Sequence, residues 1–369
     1  MQIDKIEKAI LVGVDLGRRG VVSVSDSLQE LKGLTEAAGG EVIATLVQAR
    51  ERISNASYIG SGKLQELKNL AAELEPDLII FDKELSPTQL RNLEEELDFK
   101  VIDRTMLILD IFSQRARSNE GLLQVELAQL QYRLPRLTGK GADMSRVGAG
   151  IGTRGAGEQK LEMDRRHIRE RIKDIKKRLE KVQGSRSLQR KQRQRSGLKV
   201  VSLVGYTNAG KSSLFNALCR TGHRSGAAQA EADNRLFQTL DTTIRKIYLP
   251  SRQEILLSDT VGFIRNLPHH LMAAFRSTLE EAVDADLLLH VVDISDPDVY
   301  DKMGVVEGVL QDLGADQGRI ITVFNKADLL ENPPQSGENG LVVSALTNQG
   351  LDILIKRLES LAAEDVSNQ

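Results

Sequence analysis

The chain has 369 residues and a formal net charge of −2, and its composition is typical of a soluble globular protein with roughly two or three domains. Its one cysteine, Cys219, excludes a disulfide framework and a zinc site built from several cysteines. No apolar run approaches the roughly 20 residues that span a bilayer, and the N-terminus has no signal-peptide pattern, so we expect a cytoplasmic protein without a membrane partner.

Residues 1–118 alternate short apolar runs with helical patterns. Strands are predicted near residues 10–14, 41–47, 77–81 and 100–102, and helices near 28–38, 64–74, 88–97 and 105–116. Such alternation predicts a small α/β unit with a parallel sheet and crossover helices. Ser86 and Pro87 suit the N-cap and the first helical position of the third helix.

The turn at residues 58–63, with the sequence YIGSGK, precedes the second of these helices. It lacks the first glycine of a phosphate-binding loop, and Leu64 replaces the hydroxyl residue that would bind Mg2+. A contact with phosphate or an RNA backbone stays open here, but a plain glycine turn that leads into a helix is favoured.

Residues 119–195 predict a helical hairpin. Apolar residues recur at alternating spacings of four and three in two segments, namely Leu123, Leu127, Leu130 and Leu134, and then Ile168, Ile172, Ile175, Leu179 and Val182. These narrow seams predict an antiparallel pair of helices, the second over residues 158–193. Residues 185–197, with serines, a glycine and basic residues, are expected to form a frayed helix end and a linker.

The second half of the hairpin is strongly basic. Residues 160–195 contain 15 Lys or Arg against 5 Asp or Glu, and the connection at residues 139–157 contains seven glycines. A solvated charged face is the ordinary explanation, but the seam, the charge and the glycine-rich tip together favour nucleic-acid binding. The tip has no aromatic residue, so we expect recognition of phosphate and shape. The candidate RNA-binding residues are Lys140, Arg146, Arg154, Arg165, Arg166 and Arg169.

Residues 205–212, GYTNAGKS, lie between a predicted strand at 200–204 and a predicted helix at 212–218. They fit the pattern GxxxxGK[ST], in which backbone N–H groups surround a polyphosphate at a helix N-terminus. Lys211 is predicted to reach the β- and γ-phosphates, and the Ser212 hydroxyl to bind Mg2+. The predicted nucleotide-binding residues of this loop are Gly205, Tyr206, Thr207, Asn208, Ala209, Gly210, Lys211, Ser212 and Ser213.

Residues 259–262, DTVG, fit the pattern DxxG. Asp259 is predicted to hold Mg2+ through water, and the Gly262 N–H to sense the γ-phosphate. The motif is weak alone, but it follows a predicted strand at 255–257 and stands in the order that GTPases have.

Residues 325–328, NKAD, decide which base is bound. The Asp328 carboxylate can accept from N1–H and the amino group of guanine, and adenine offers neither donor there. We expect Asn325 to tie this loop to the phosphate loop, and the Lys326 stem to cover the base. Ala345, in the sequence SAL, is expected to donate its N–H to the guanine carbonyl. The predicted base-binding residues are Asn325, Lys326, Asp328, Ser344, Ala345 and Leu346.

These four motifs predict a P-loop GTPase domain with a mainly parallel sheet. Its switch threonine is one of Thr239, Thr242 and Thr243, and spacing does not decide among them. Phe263 follows the DxxG glycine, where many GTPases have a glutamine that orients water, so we expect slow unaided hydrolysis and a partner or bound ion that completes the site. Asn208 could coordinate a monovalent cation such as K+, and a purely structural role is equally open.

The chain resembles the HflX family of bacterial ribosome-associated GTPases over nearly its whole length. The matching stretches are residues 58–63, 115–130, 134–157, GYTNAGKS at 205–212, DTVGFIRNLPHHL at 259–271 and AFRSTLEE at 274–281. The resemblance favours Thr239 as the switch threonine that binds Mg2+ and, with Lys211 and Gly262, forms the catalytic set. It implies an N-terminal α/β unit and hairpin that dock on the large ribosomal subunit and its RNA, with the glycine tip near the peptidyl-transferase region.

The same resemblance implies GTP hydrolysis stimulated by that subunit and a role in splitting stalled ribosomes. The chain departs from the family in having Thr242 where a TLDPT sequence has proline. Many members also carry a further C-terminal domain, whereas this chain ends in a predicted helix at 351–361 and a polar tail, so the resemblance does not extend to contacts of that domain.

We therefore expect a monomer with GTP and Mg2+ as cofactors and three parts: an α/β unit at 1–118, the basic hairpin at 119–195 and the GTPase domain at 196–369. One alternative is a GTPase that acts in assembly or maturation of the large subunit. Another, of a different class, is an ATP-dependent RNA remodeller that uses the N-terminal unit.

Overall fold

The computed structural model describes residues 6–17, 23–137, 156–195, 197–221, 237, 242–265, 271–272, 275, 279–280, 282–337 and 340–363, and only the backbone of 156–160, 183 and 185–195. The chain divides into two compact units, Met1–Gln114 with Val125–Arg178 and Arg115–Gln124 with Leu179–Gln369. Because this division falls inside three helices, the boundaries after residues 118 and 195 stay predictions.

The first unit is built on a four-stranded, wholly parallel sheet in the order β2-β1-β3-β4. Its elements are β1 (Lys8–Asp15), α1 (Val24–Ala37), β2 (Glu41–Ala49), α2 (Ser61–Leu74), β3 (Leu78–Phe81), α3 (Pro87–Leu97), β4 (Val101–Asp103) and α4 (Arg104–Arg115). The predicted parallel sheet is confirmed. So is the start of α3, where Ser86 accepts from the Gln89 N–H and the Gln89 side chain accepts from the Ser86 N–H.

A buried group of charged side chains lies beside the carboxyl end of β3. The Arg104 guanidinium is 2% exposed, and it donates to Asp82 Oδ1 at 3.0 Å and to Glu30. Ser27 Oγ donates to the other Asp82 oxygen at 2.6 Å. Each buried charge thus meets an opposite charge, which offsets the cost of removing it from water. The group fastens α1 and α4 to this end of the sheet.

The hairpin helices are α5 (Asn119–Arg136) and α6 (Ala156–Arg195). Leu127 and Ile175 of the predicted seams are buried, and the Arg171 guanidinium joins both Glu126 oxygens at 2.6 and 2.8 Å. Tyr132, on another face of α5, donates its hydroxyl to Asp103 Oδ2 at 2.8 Å. This helix therefore packs on two sides, which a single seam does not predict.

The predicted second helix over residues 158–193 is confirmed, because α6 continues to Arg195, and only the expectation of a linker from residue 185 is wrong. This stretch is rich in arginine, glutamine and lysine, whose unbranched side chains keep most of their rotamers in a helix. This preference for the helix outweighs the lower helix propensity of the serines and Gly184.

The second unit contains a six-stranded sheet in the order β10-β9-β8-β5-β7-β6, in which only the edge strand β6 runs antiparallel to its neighbour. Its elements are β5 (Lys199–Gly205), α7 (Lys211–Thr221), β6 (Thr243–Tyr248), β7 (Glu254–Asp259), β8 (Leu287–Asp293), α8 (Val299–Asp312), β9 (Ile320–Asn325), β10 (Leu341–Val342) and α9 (Leu351–Ala363). Strand β6 and helix α8 are not among the predicted elements. In the part of the chain that the structure covers, no helix has both the length and the apolarity to cross a bilayer.

His290 lies in the middle of this sheet. It is 1% exposed on β8, opposite Val204 of β5 and Thr322 of β9, and no described residue gives its Nδ1 a hydrogen-bond partner. Burial, with a smaller contribution from the charge of Lys211, lowers the pKa of His290 to about 4. The folded chain therefore keeps this imidazole neutral at a pH where the unfolded chain protonates it.

We expect acid to weaken this fold. Between pH 7 and pH 5 the unfolded chain takes up a proton at His290 that the folded chain excludes, so about 2 kcal/mol of stability is lost as the pH falls. His290→Leu, which keeps a side chain of similar size, should remove this part of the loss. Denaturant midpoints at the two pH values measure it, with the exposed His167→Gln as control. An equal acid loss in His290→Leu and the unchanged chain would contradict the assignment.

Candidate nucleotide-binding site

The phosphate loop joins β5 to α7, and glycines at both of its ends permit close backbone approaches. Gly205 has φ +154°, and a Cβ there would lie 2.2 Å from the Val291 carbonyl oxygen. Gly210 has φ +86°, and a Cβ there would lie 2.2 Å from Asn325 Nδ2. The loop thus leads directly into the first turn of α7, whose free N–H groups and partial positive charge suit a phosphate.

Lys211, the first residue of α7, is 6% exposed and folds back over the loop. Its Nζ donates to the Gly205 carbonyl at 3.1 Å and to the Tyr206 carbonyl at 2.8 Å. Burial lowers its pKa to about 8, although the charge of Asp259 opposes this shift. A polyphosphate here could take over the donors that Lys211 now gives to the two carbonyls.

Ser212 and Asp259 meet at the opposite side of the loop. Ser212 Oγ donates to Asp259 Oδ2 at 2.7 Å, and Asp259 is fully buried at the end of β7. A hydroxyl and a carboxylate are hard oxygen donors of the kind that Mg2+ prefers, so this pair fits the ion. Thr243 faces Asp259 across the β6–β7 pair, and Thr242 precedes it. Thr239 lies outside the described residues, and its role stays a prediction.

The base-binding residues are joined to the phosphate loop by Asn325, at the end of β9. Its Nδ2 donates to the Ala209 carbonyl and its Oδ1 accepts from the Ala345 N–H, each at 3.0 Å. A guanine carbonyl is the acceptor predicted for that Ala345 N–H. In the structure Asn325 takes it, because both its amide oxygen and Ala345 are buried at this junction, so a guanine would have to share the donor.

The side chains that would meet the base are held in place around Asp328. This carboxylate accepts from Ser344 Oγ, which itself accepts from the Thr347 N–H at 3.1 Å. Lys326 has φ +65°, and its Nζ pairs with Asp293 Oδ2 at 2.6 Å. Leu346 is 79% exposed beside them. The strand ends of β8, β9 and β10 thus present a carboxylate, a lysine stem and an apolar side chain next to the phosphate loop.

Three family models match the chain in order: GTP-binding GTPase N-terminal over residues 25–113, GTP-binding GTPase Middle Region over 115–193, and 50S ribosome-binding GTPase over 200–326. GTPase HflX of Caldanaerobacter subterraneus subsp. tengcongensis is 54% identical over 355 residues, which are 96% of this chain and 80% of the relative. GTPase HflX of Escherichia coli (strain K12) is 42% identical over 347 residues, which are 92% of this chain and 80% of the relative.

The chain belongs to the HflX family of GTPases. Like its HflX relatives, it binds GTP and hydrolyses it. A crystal structure of SsGBP in complex with GDP shares the fold, with a TM-score of 0.52 and 25% identity over 97% of this chain and 99% of that chain. The predicted family, P-loop fold and enzyme class are confirmed.

Phe263 is buried in this HflX-family chain, with 3% of its surface exposed. Its carbonyl accepts from the Thr207 N–H at 2.7 Å, and its N–H donates to the Gly205 carbonyl at 3.1 Å. A buried phenyl group cannot orient water, but the backbone of Phe263 fastens the DxxG segment to the phosphate loop. No local motif signals this contact, because it joins residues 56 or more positions apart.

The structure describes some of the remaining predicted site residues and leaves others outside its described ranges. Ser213 is half-buried in the first turn of α7, and Asn208, with φ +62°, is exposed in the loop, where its proposed cation role stays untested. Arg166 and Arg169 are exposed on α6, and Arg165 is half-buried. The residues of the proposed RNA-binding tip, Lys140, Arg146 and Arg154, lie outside the described residues.

Asp328→Asn should change the base that the site prefers. An amide cannot accept from both N1–H and the amino group of guanine, so GTP affinity should fall roughly 100-fold. Xanthine has a carbonyl in place of that amino group, and the amide can donate to it, so XTP should bind better than GTP. Fluorescence titration with both nucleotides measures this, with Asp312→Asn on an exposed position of α8 as control. Unchanged preference for GTP would exclude Asp328 as the guanine-binding residue.

Proposed function

We propose that this GTPase docks on the large ribosomal subunit in its GTP-bound form and couples hydrolysis to the splitting or rescue of stalled ribosomes. The observation that carries the proposal is the basic surface of α6, on a chain whose GTPase domain matches a model described as 50S ribosome-binding GTPase. A monomer that works in the cytoplasm, with ribosomal RNA as its partner, suits this role.

In the proposed mechanism the nucleotide is held by groups that the fold brings together. Lys211 and the loop N–H groups bind the phosphates, and Asp328 binds the guanine edge. Ser212 and Asp259 would hold Mg2+, which would neutralise charge on the phosphates. The Gly262 N–H binds the γ-phosphate and releases it after hydrolysis. Loss of that contact would then free the switch segments and end the docked state.

The proposed site needs help to position the attacking water. The Phe263 side chain is buried, so it supplies neither a donor nor an acceptor at the γ-phosphate. We propose that the ribosome, or a monovalent cation at Asn208, completes the site. Hydrolysis would then be fast only on the partner, so the rate of hydrolysis would set how long the GTP-bound protein stays on the RNA.

The RNA contact proposed for α6 relies on charge. Arg166 pairs with Glu170 at 3.4 Å and Arg169 with Glu162 at 3.7 Å, and all four side chains are more than half exposed. Such surface pairs contribute little to stability, so the guanidinium groups can turn to RNA phosphates at small cost. Phosphate contacts of this kind release counterions, which makes binding sensitive to salt.

We expect large subunits to raise the GTP turnover of this chain in a saturable way. The double variant Arg166→Gln/Arg169→Gln should need roughly tenfold more subunit for half-maximal stimulation, because two phosphate contacts are lost. A plot of affinity against salt should also become less steep. The matched control is Arg91→Gln/Arg319→Gln, which removes two exposed arginines that also pair with one carboxylate each, four or three residues away in sequence.

Equal turnover with and without large subunits would remove the partner-completed site from the proposal. Sedimentation of intact ribosomes with the protein and a nonhydrolysable GTP analogue tests the second half. Free subunits at the expense of intact ribosomes support splitting. Stimulated turnover with intact ribosomes left whole would favour the alternative, a factor for large-subunit assembly or maturation.

A further inference from the structure

The DxxG segment is fastened to the phosphate loop by a short parallel pairing. Residues Tyr206 and Phe263 form an isolated β-bridge. Its two hydrogen bonds run from the Thr207 N–H to the Phe263 carbonyl, at 2.7 Å, and from the Phe263 N–H to the Gly205 carbonyl, at 3.1 Å. Both bonds use backbone atoms alone, so they do not depend on which side chain stands at position 206.

A third bond in the same place does depend on a side chain. The Arg265 N–H donates to the Tyr206 hydroxyl oxygen at 2.8 Å, and the two residues are 5% and 7% exposed. The bond therefore lies in a buried setting, where a backbone N–H that loses its acceptor is costly. It ties the chain two residues beyond the bridge, on the side away from Asp259.

Contacts from α8 hold both partners of this third bond. The Lys302 ammonium lies 5.6 Å from the centroid of the Tyr206 ring, within the range of a cation–π contact. The Arg265 guanidinium pairs with Asp298 at 3.4 Å and with Asp301 at 3.8 Å. The phenol and the backbone that it binds are thus supported by the start of α8 as well as by the phosphate loop.

Gly262 lies directly before the residues that these three hydrogen bonds hold against the phosphate loop. A Cβ at Gly262 would lie 2.8 Å from Thr207 Cγ2 and 2.9 Å from Lys211 Nζ, so its main chain already forms part of the wall around the lysine. Phe263 follows it directly, and the bond to Tyr206 comes two residues later. Three hydrogen bonds therefore hold the main chain on the carboxyl side of Gly262.

We propose that Tyr206 is a positioning residue for the γ-phosphate: its hydroxyl, by accepting from the Arg265 N–H, holds Gly262 where its N–H can bind that phosphate. This inference rests on the proposed role of Gly262. The Tyr206 hydroxyl accepts from the Arg265 N–H, so the role proposed for it is to place the DxxG segment rather than to bind the nucleotide. Its contribution is confined to ligands that carry a γ-phosphate, so it helps to set the preference for the GTP form over the GDP form.

Tyr206→Phe tests the proposal, because it keeps the ring and both backbone bonds and removes the hydroxyl that accepts from the Arg265 N–H. Affinity for a nonhydrolysable GTP analogue should fall about tenfold, while affinity for GDP changes less than about twofold. The kcat for GTP should fall as well. Tyr300→Phe, at an exposed position on α8, removes a hydroxyl of the same kind and should change neither affinity.

The ratio of the two affinities separates positioning from general stability. If analogue and GDP weaken equally in Tyr206→Phe, the hydroxyl serves only the fold and the proposal is overturned; an unchanged ratio with unchanged affinities overturns it too. Gly262→Ala distinguishes the two levels of failure. If Gly262→Ala lowers the ratio and Tyr206→Phe does not, the tyrosine role alone fails. If neither variant lowers the ratio, the proposed role of Gly262 fails with it.

Discussion

The nucleotide site depends on two hydrogen bonds made by the Asn325 side-chain amide. Its Nδ2 and Oδ1 join the phosphate loop, at Ala209, to the last base loop, at Ala345, and the residue is 1% exposed. Any side chain at Gly210 would occupy the place of this amide. The Asn325 side chain, which uses both its amide nitrogen and its amide oxygen in these bonds, therefore sets the distance between the phosphate end and the base end of the site. A substitution at Asn325 would alter the distance from Lys211 to Asp328.

Phe263, directly after the DxxG glycine, has a structural role that does not need a polar side chain. Its backbone completes the bridge to the phosphate loop, and its ring is buried, so the position contributes to placement and to packing. A residue that reached into the site would have to leave this packing. The DxxG segment is thus well placed for binding phosphate but offers no side chain at residue 263 to the water, which agrees with the proposal that a partner completes hydrolysis.

The parts of the site that could be predicted from sequence are those that depend on local backbone chemistry. Gly205 and Gly210 belong to a known motif and adopt positive φ, which glycine permits without steric cost, and outside the site the Ser86 cap depends on a bond to Gln89 three residues away. The bond from Arg265 to Tyr206 joins residues 59 positions apart, and no pattern along the chain marks it. The bond from the Ala345 N–H to Asn325 Oδ1 likewise joins residues 20 positions apart, and no local pattern marks it.

A different balance of local and distant forces governs the hairpin. Its long second helix follows from straight-chain residues, whose own preference carries α6 to Arg195 even where serines suggest an end. The position of the first helix, α5, depends instead on contacts between residues far apart in sequence. Its Tyr132 hydroxyl donates to Asp103, a fully buried carboxylate that also accepts from the Leu85 N–H and the Met106 N–H. Arg136, which lies over the Tyr132 ring, reaches the same carboxylate at 3.5 Å.

These contacts give the first unit two kinds of charge with separate tasks. Arg104 pairs with Asp82, and Asp103 with Arg136, so these buried charges hold helices to the sheet. The arginines of α6 are exposed and only weakly paired, so they remain available to a polyanion. If α6 binds RNA as proposed, its arginines can do so without breaking the buried pairs that hold these helices to the sheet.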